Sequence, residues 1–305
     1  MSFKTPAVLP DPALAMRWNW SSAYPAPAKI NLFLHVTGRR PDGYHTLQTL
    51  FRFVGLHDTL RFVPRSDNNV VLLNPIDGVP PETDLTVRAA EALRRASGIR
   101  DGVSIHLEKR LPMGGGLGGG SSDAATVLIA LNSLWRLGGS QAELQSLALP
   151  LGADVPVFVG GHAAFAEGVG EALMPVSLPA ACYLIVHPGV SVPTAGIFSS
   201  PQLRRDTPAM RSADWSGALE HGVGVNDLEP VAVALYPEVA AALAWLNAQP
   251  ETGGRVRMSG SGACVFAAFD ETALAEQVLQ RLPLAWRGWV TPGLDRHPLH
   301  ELIPV

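Results

Sequence analysis

The first third of the chain alternates short apolar runs with turn signals. Residues 28–38, AKINLFLHVTG, are rich in branched and aromatic side chains and end at a glycine, which predicts a strand. A Pro-Asp-Gly turn signal follows at residues 41–43, and residues 46–64 then predict two short strands on either side of Gly55. Residues 102–110, GVSIHLEKR, alternate apolar and polar positions and predict another strand.

Helical spacing appears in two stretches of this half. Residues 84–97 place apolar side chains at helical intervals and stop before Gly98, which predicts a helix. Residues 121–139 begin with serines and an aspartate and end at glycine. This second helix is apolar on most of its surface, so we expect it to be buried.

The second half continues the mixture of strands and helices. The pattern predicts a strand over residues 181–189, two helices separated near Pro237 over 227–249, a strand–glycine loop–strand unit over 254–270, and a helix over 272–282. Strict alternation of strand and helix is absent, so an α+β architecture with two lobes is favoured over a doubly wound sheet. We divide the chain into an irregular extension (1–23), a first lobe (24–170) and a second lobe (171–305).

Composition narrows the class of protein. The chain has 305 residues, a net charge of −4 and no cluster of lysine and arginine, which argues against a dedicated nucleic-acid binder. No apolar run approaches the length of a membrane span, and Pro10, Asp11 and Pro12 interrupt the short apolar stretch near the start. The two cysteines lie in apolar runs and are expected to be free, buried thiols of a cytoplasmic protein. Met16 is an alternative start, just before the organised sequence.

The stretch LPMGGGLGGGSSDAA, residues 111–125, is the main candidate for chemistry. A strand, a glycine run, two serines and a helix follow one another. Glycines let backbone N–H groups approach an anion closely, and a helix N-terminus adds positive potential, so this order predicts a phosphate-binding loop. The P-loop pattern does not match, because no lysine precedes Ser121. A dinucleotide-binding fold would place the loop after its first strand. A flexible linker would not join a strand to a strong helix.

This loop resembles the signature motif of the GHMP kinase superfamily. PAKINLFL (27–34) resembles the first family motif and SGSGACVF (259–266) the third, in the expected order. Gly115 departs from the pattern, since many members have alanine there. The resemblance implies an α+β GHMP kinase fold, with a ribosomal-S5-like N-terminal ATP lobe and a ferredoxin-like C-terminal lobe. It implies that the ATP phosphates bind at Pro112, Met113, Gly114, Gly115, Gly116, Leu117, Gly118, Gly119, Gly120, Ser121 and Ser122.

Within that superfamily the chain resembles members that phosphorylate a cytidine-diphosphate sugar alcohol on the non-mevalonate route to isoprenoid precursors. PAKINLFLHVTGRRPDGYHTLQTLF, LGADVPVFVGGHAAFAEGVGE, HPGVSVPTAGIF and NDLEP carry this resemblance, which spans the chain from about residue 20. It implies transfer of the ATP γ-phosphate to a hydroxyl group. Homoserine and mevalonate kinases, and a GHMP-fold sensor of ATP or sugar without catalysis, are the alternatives.

Asp154 and Lys29 are the candidate catalytic residues. Asp154 lies between small and apolar residues in GADVPVF, where desolvation would strengthen it as a proton acceptor. The alternative is a helix N-cap or turn aspartate. Lys29 precedes the apolar run INLFLHV and is predicted either to snorkel or to pair with a carboxylate; a surface lysine is the alternative. The resemblance implies that Lys29 pairs with Asp154, and leaves open whether it also contacts phosphate.

Three aromatic residues are candidates for binding the base. The resemblance implies that Tyr44 stacks on cytosine, that His45 hydrogen-bonds it and that Phe198 covers the second face. Asn31, a polar residue inside an apolar strand, is a further substrate contact, and Gly260 and Gly262 are expected to line the site from the other lobe. Mg²⁺ is expected with ATP. Its protein ligands are left open between the hydroxyls of Ser121 and Ser122, with Glu167 not favoured, and the chain is expected to be a monomer or a homodimer.

Overall fold

A computed structural model of the chain describes residues 17–215 and 225–303. In the first part the strands are β1 (Tyr24–Arg39), β2 (His45–Arg65), β3 (Val70–Leu72), β4 (Gly102–Glu108), β5 (Ala164–Glu167), β6 (Ala172–Pro175) and β7 (Cys182–His187). The helices are α1 (Leu85–Ser97), α2 (Gly119–Leu134), α3 (Gln141–Ala148), α4 (Val155–Gly160) and α5 (Thr194–Ser199). After these come α6 (Glu229–Leu235), α7 (Pro237–Asn247), β8 (Val256–Met258), β9 (Val265–Phe269), α8 (Thr272–Leu279) and β10 (Arg287–Leu294).

The predicted α+β architecture with two lobes is confirmed. In the first lobe β2 pairs antiparallel with β1, β4 and β5, and β3 joins β4 in parallel. In the second lobe β7 lies between β9 and β10, and β8 pairs with β9. Since β10 also pairs with β2 through Gly293 and Leu294, a continuous ladder connects the two lobes.

Three groups of buried apolar residues hold this arrangement together. The first lies between β2, β4 and helices α1 to α4, and the second between β7, β9 and helices α5 to α8. The third group joins the lobes, because Ile30 and Phe33 of β1 belong to it together with Tyr183, Ile185 and Phe266 of the second sheet. Strand β1, which contains the first predicted motif, therefore packs against residues of the second lobe as well as those of its own.

Some predicted elements have other bounds in the structure. Residues 45–65 form one strand with a bulge, because the register with β1 shifts between Pro27 and Ala28, opposite Gly55. The side chain of Pro292 lies so close to Gly55 that a Cβ there would approach it to 3.1 Å. The predicted helix over 121–139 begins earlier, at Gly119, and ends at Leu134, where Arg136 takes a positive φ of 55°.

The chain ends of the described region pack on the first lobe. Trp18 and Trp20 of the predicted extension contact its core, and Trp18 lies 5.3 Å from the ring of Tyr24. Residues 1–16, with Met16 and the interrupted apolar stretch, lie outside the described residues. Leu299 and Leu302, which follow β10, are also part of the first core.

Both cysteines, Cys182 and Cys264, are buried and unpaired, as the sequence predicts. Among the described helices, none taken alone has the length and apolar composition to cross a membrane. Helices α6 and α7 meet that requirement only as a pair, bent by 118° at Tyr236.

Candidate active site

A cavity of about 960 Å³ lies between the two lobes. It brings together most of the site residues predicted from sequence: its wall includes Lys29, Asn31, Tyr44, His45, residues 112–121, Asp154, Phe198 and Gly260. Ser122 and Gly262, which were also predicted to contact ligands, are not part of the wall. The hydroxyl of Ser122 is buried without a partner in the described part of the chain, and Gly262 packs against Met258.

The glycine loop is held by its carbonyl groups. The Gly114 carbonyl accepts hydrogen bonds from the amides of Val192 and Ala263 at 3.2 and 3.0 Å, and the Gly115 carbonyl accepts one from Cys264 at 3.1 Å. The Leu117 carbonyl accepts a hydrogen bond from the Lys29 amide at 2.9 Å. Strand β1 and the C-terminal glycine loop therefore fix the loop from behind.

The amide groups of the same loop are left for a ligand. Within residues 17–215 and 225–303, no group accepts a hydrogen bond from the amides of Gly114 to Gly118. Helix α2 starts directly after Gly118, and the first amides of any helix have no partner within it. A row of free N–H groups at a helix N-terminus in a cavity is an anion site.

Gly116 shows why the loop needs glycine. Its φ is +72°, and a Cβ at this position would lie 2.0 Å from the Ser259 carbonyl oxygen. The Ser259 hydroxyl also donates to the Gly116 carbonyl at 2.9 Å and accepts from the Asn31 amide at 3.3 Å. Ser259 thus joins all three sequence motifs at one point.

Lys29 and Asp154 form an ion pair in the cavity wall. Lys29 Nζ lies 3.2 Å from Asp154 Oδ2, and the exposed fractions of the two side chains are 4% and 33%. Asp154 occupies the N-cap position of α4, but its side chain makes no capping hydrogen bond. Its carboxylate is therefore directed to Lys29 and the cavity instead of to the helix, and the alternative of a surface lysine at residue 29 is wrong.

Asn31 holds Lys29 in place. Lys29 Nζ donates to Asn31 Oδ1 at 2.7 Å, and the side-chain Nδ2 of Asn31 donates to Thr49 Oγ1 at 2.8 Å. The Lys29 ammonium also lies 5.3 Å above the ring of Phe51. The expectation of a partner for a polar residue in an apolar strand is met by Lys29 and Thr49, so Asn31 orients the lysine as well as lining the cavity.

The predicted base-binding residues come from both lobes. Tyr44 and His45 follow the turn between β1 and β2, and Tyr44 is 63% exposed. Phe198 lies on α5, with its ring centroid 5.1 Å from that of His45. Burial and the nearby charges of Arg205 and Arg39 lower the pKa of His45, so it is kept neutral further into the acid range.

Sequence reasoning missed a buried charged cluster beside the glycine loop. Lys109 pairs with Asp58 and, at 2.8 Å, with Asp123 in the first turns of α2. Asp58 accepts hydrogen bonds from the amides of Arg110 and Leu111, which fixes the start of the loop. Burial raises the pKa of Asp123, although the Lys109 ammonium opposes this. The signal in the sequence was an aspartate inside an apolar helix.

Comparison with known proteins identifies the family of the chain. The model of the GHMP kinase N-terminal domain matches residues 84–162, and that of the C-terminal domain matches residues 206–288. The chain is 56% identical over 279 residues to the 4-diphosphocytidyl-2-C-methyl-D-erythritol kinase of Dechloromonas aromatica (strain RCB), covering 92% of this chain and 99% of that protein. The kinase of the same name from Bordetella parapertussis is 58% identical over 294 residues, covering 92% and 97%.

Solved structures agree. A crystal structure of 4-(cytidine 5'-diphospho)-2C-methyl-D-erythritol kinase superposes with a TM-score of 0.76 at 38% identity, covering 89% of this chain and 99% of that one. A homoserine kinase from Cytophaga hutchinsonii shares the fold, with a TM-score of 0.63 at 17% identity over 90% of this chain and 95% of its own. The predicted fold is confirmed: the chain belongs to the GHMP kinases and, within them, to the 4-diphosphocytidyl-2-C-methyl-D-erythritol kinase family.

Proposed function

We propose that the chain transfers the γ-phosphate of ATP to the 2-hydroxyl of 4-diphosphocytidyl-2-C-methyl-D-erythritol. The observation that carries this proposal is the Lys29–Asp154 ion pair in the same cavity as the free amides of the glycine loop. A proton acceptor beside an anion cradle is what phosphoryl transfer to an alcohol requires. The names of the relatives support the choice of alcohol.

The arrangement assigns a part of the reaction to each group. Asp154 takes the proton of the substrate hydroxyl while the hydroxyl oxygen forms a bond to the γ-phosphorus of ATP. The bond between the γ-phosphorus and the β–γ bridging oxygen breaks, and ADP leaves. Lys29 has three N–H donors, of which Asn31 and Asp154 receive two. The lysine therefore orients the base and keeps a donor for a phosphate oxygen.

The nucleotide fits the other part of the cavity. An apolar wall suited to an adenine ring lies next to the free amides of the loop. It consists of Ile76, Val79, Leu85 and Leu107. The described residues contain no cluster of three histidine, cysteine or acidic side chains to hold a metal alone. Mg²⁺ needs only one or two protein oxygens when phosphates supply the rest, and Ser121 in the cavity wall fits that role better than Ser122 or Glu167, neither of which lines the cavity. Bound there, Mg²⁺ would neutralise charge on the phosphates.

The proposed specificity for a cytidyl substrate depends on three residues, Tyr44, His45 and Phe198. A flat base fits between aromatic side chains, while homoserine and mevalonate carry no such ring. All three residues line the cavity that contains Asp154. Cytoplasmic location and the choice between monomer and homodimer stay predictions.

The function is tested by ATP-dependent ADP release with three alcohols: the cytidyl substrate, homoserine and mevalonate. We expect turnover with the cytidyl substrate alone. Turnover only with another alcohol would keep the kinase assignment and overturn the role of the aromatic residues. ATP binding without turnover on any of the three would favour the sensor.

Replacing Tyr44 by alanine is expected to raise KM for the cytidyl substrate about 10-fold, because stacking on a base contributes about 1–3 kcal/mol. The value of kcat and KM for ATP should change little, since Tyr44 belongs neither to the glycine loop nor to the Lys29–Asp154 pair. Steady-state kinetics measures both, and the exposed Leu284 provides a control, Leu284→Ala. An unchanged KM would remove Tyr44 from the base site.

A further inference from the structure

Arg205, which the sequence motifs do not single out, contacts two of the proposed base-binding residues. Its Nε–H donates to His45 Nε2 at 2.9 Å. Its Nη2 donates to the Phe198 carbonyl at 3.0 Å and the Ser200 carbonyl at 2.7 Å, and its Nη1 donates to the Leu203 carbonyl at 3.0 Å. One guanidinium thus links the β1–β2 hairpin to the C-terminal end of α5.

The hydrogen bond to His45 determines which ring nitrogen carries the proton. A guanidinium is always charged and has donors only, so His45 Nε2 must act as the acceptor. A neutral imidazole that accepts at Nε2 carries its hydrogen on Nδ1. In the part of the chain that the structure describes, nothing is placed to bond His45 Nδ1, so this N–H is left for a ligand.

The charges around His45 favour the same state. Arg205 faces the ring from the segment after α5, and Arg39 faces it from the end of β1. On its own hairpin, Asp42 is paired with Arg40 at 2.7 Å. Both cations disfavour a second proton on the ring, in agreement with the lowered pKa of His45.

We infer that Arg205 is a positioning residue for the base of the substrate: it holds His45 as the Nδ1–H tautomer and ties Phe198 beside it. The cavity wall then presents a hydrogen-bond donor next to an aromatic ring. Its ligand is a heteroaromatic base with an acceptor on its edge, as N3 or O2 of cytosine provides. This inference rests on the proposed function for the identity of the base, while the tautomer of His45 is a property of the free protein.

The tautomer is measured first, by ¹⁵N–¹H correlation spectra of the histidine side chains in the free wild-type protein, with His45→Gln for assignment. We expect a protonated Nδ1 and an unprotonated Nε2. A proton on Nε2 would overturn the inference, whether or not the chain proves to be a cytidyl kinase. This arm needs no variant of Arg205 to fold.

The second arm replaces Arg205 by methionine, which has similar length and no donor, and by lysine, which keeps the charge. For Arg205→Met we expect KM for the cytidyl substrate to rise about 10- to 100-fold, a change that corresponds to the free energy of one or two charge-assisted hydrogen bonds. The values of kcat and of KM for ATP should stay within about two-fold of those of the wild type. KM of Arg205→Lys for the cytidyl substrate should lie between those of the wild type and Arg205→Met. The lysine ammonium keeps the charge but cannot make the four hydrogen bonds of the planar guanidinium. An unchanged KM in Arg205→Met would overturn the inference.

The titration of His45 separates a positioning role from general support of the fold. An imidazolium also carries a hydrogen on Nδ1, so the readout is the ring itself: without the charge of Arg205 the pKa of His45 should rise toward its ordinary value, and its ¹⁵N signals should titrate at higher pH in Arg205→Met. Arg204→Met is the matched control, since Arg204 is exposed and, among the described residues, its ion pair is with the exposed Asp206 at 3.2 Å. A rise in KM without a change in the titration of His45 would reduce Arg205 to a structural residue and overturn the assignment.

Discussion

Replacing Asp154 by asparagine is expected to lower kcat about 10²- to 10⁴-fold, the range that a general base contributes. An amide has the shape of the carboxylate but cannot take the proton of the hydroxyl. KM for ATP should change little, because the amides of the glycine loop are not altered. The fold should persist, since Asp154 makes no capping bond to α4 and Lys29 keeps Asn31 as its acceptor.

The control is Asp206→Asn, which removes a carboxylate that is 87% exposed and does not line the cavity. Steady-state kinetics and a thermal unfolding curve are measured for both variants. Retention of full kcat in Asp154→Asn would exclude the carboxylate as the base. Loss of folding would instead show that the ion pair with Lys29 is structural.

A double variant distinguishes two roles of Lys29. If Lys29 acts only by orienting Asp154, Lys29→Met should add little to the loss in Asp154→Asn, because residues that work as a unit are not additive. If Lys29 also donates to a phosphate oxygen, the double variant should lose kcat beyond Asp154→Asn and show a raised KM for ATP. Kinetics of the two single variants and the double variant decides between them.

Local sequence patterns were sufficient to predict those parts of the structure that depend on neighbouring residues along the chain. The turn at residues 41–43, the break between α6 and α7 at Pro237 and the strand leading into the glycine loop all follow from the residue types at those positions. The phosphate loop was also visible, because its glycines serve a requirement of the backbone itself. Its resemblance to known kinases added the pairing of Lys29 with Asp154.

Contacts between distant parts of the chain could not be predicted in this way. Ser259 bonds Gly116 across 143 positions, and Arg205 bonds His45 across 160 positions. Nothing near Arg205 in the sequence shows that its partner is a histidine on another lobe. Strand β10 was missed for a related reason: Pro292 and Gly293 are poor strand residues, and the strand forms because β7 and β2 lie on either side of it.

The second large effect is expected at the glycine loop: Gly116→Ala should weaken binding of a non-hydrolysable ATP analogue about 100-fold or more. The added methyl group would lie 2.0 Å from the Ser259 carbonyl, and φ at this position is +72°. Either the loop or the segment at Ser259 must move, and the amides would then lose their common direction. Losing two charge-assisted hydrogen bonds at about 1.5–3 kcal/mol each accounts for that factor.

Gly98→Ala separates the clash from backbone strain. Gly98 ends α1 with a φ of +74°, nearly that of Gly116, but no atom of the described residues lies within 4 Å of a Cβ there. It should cost about 1–2 kcal/mol of stability for the left-handed conformation and leave nucleotide binding unchanged. Calorimetric titration of the analogue into both variants, with unfolding curves, makes the comparison. Equal binding by Gly116→Ala and wild type would mean that the loop does not hold the phosphates, and the anion site would then have to be sought at the amides of α2 alone.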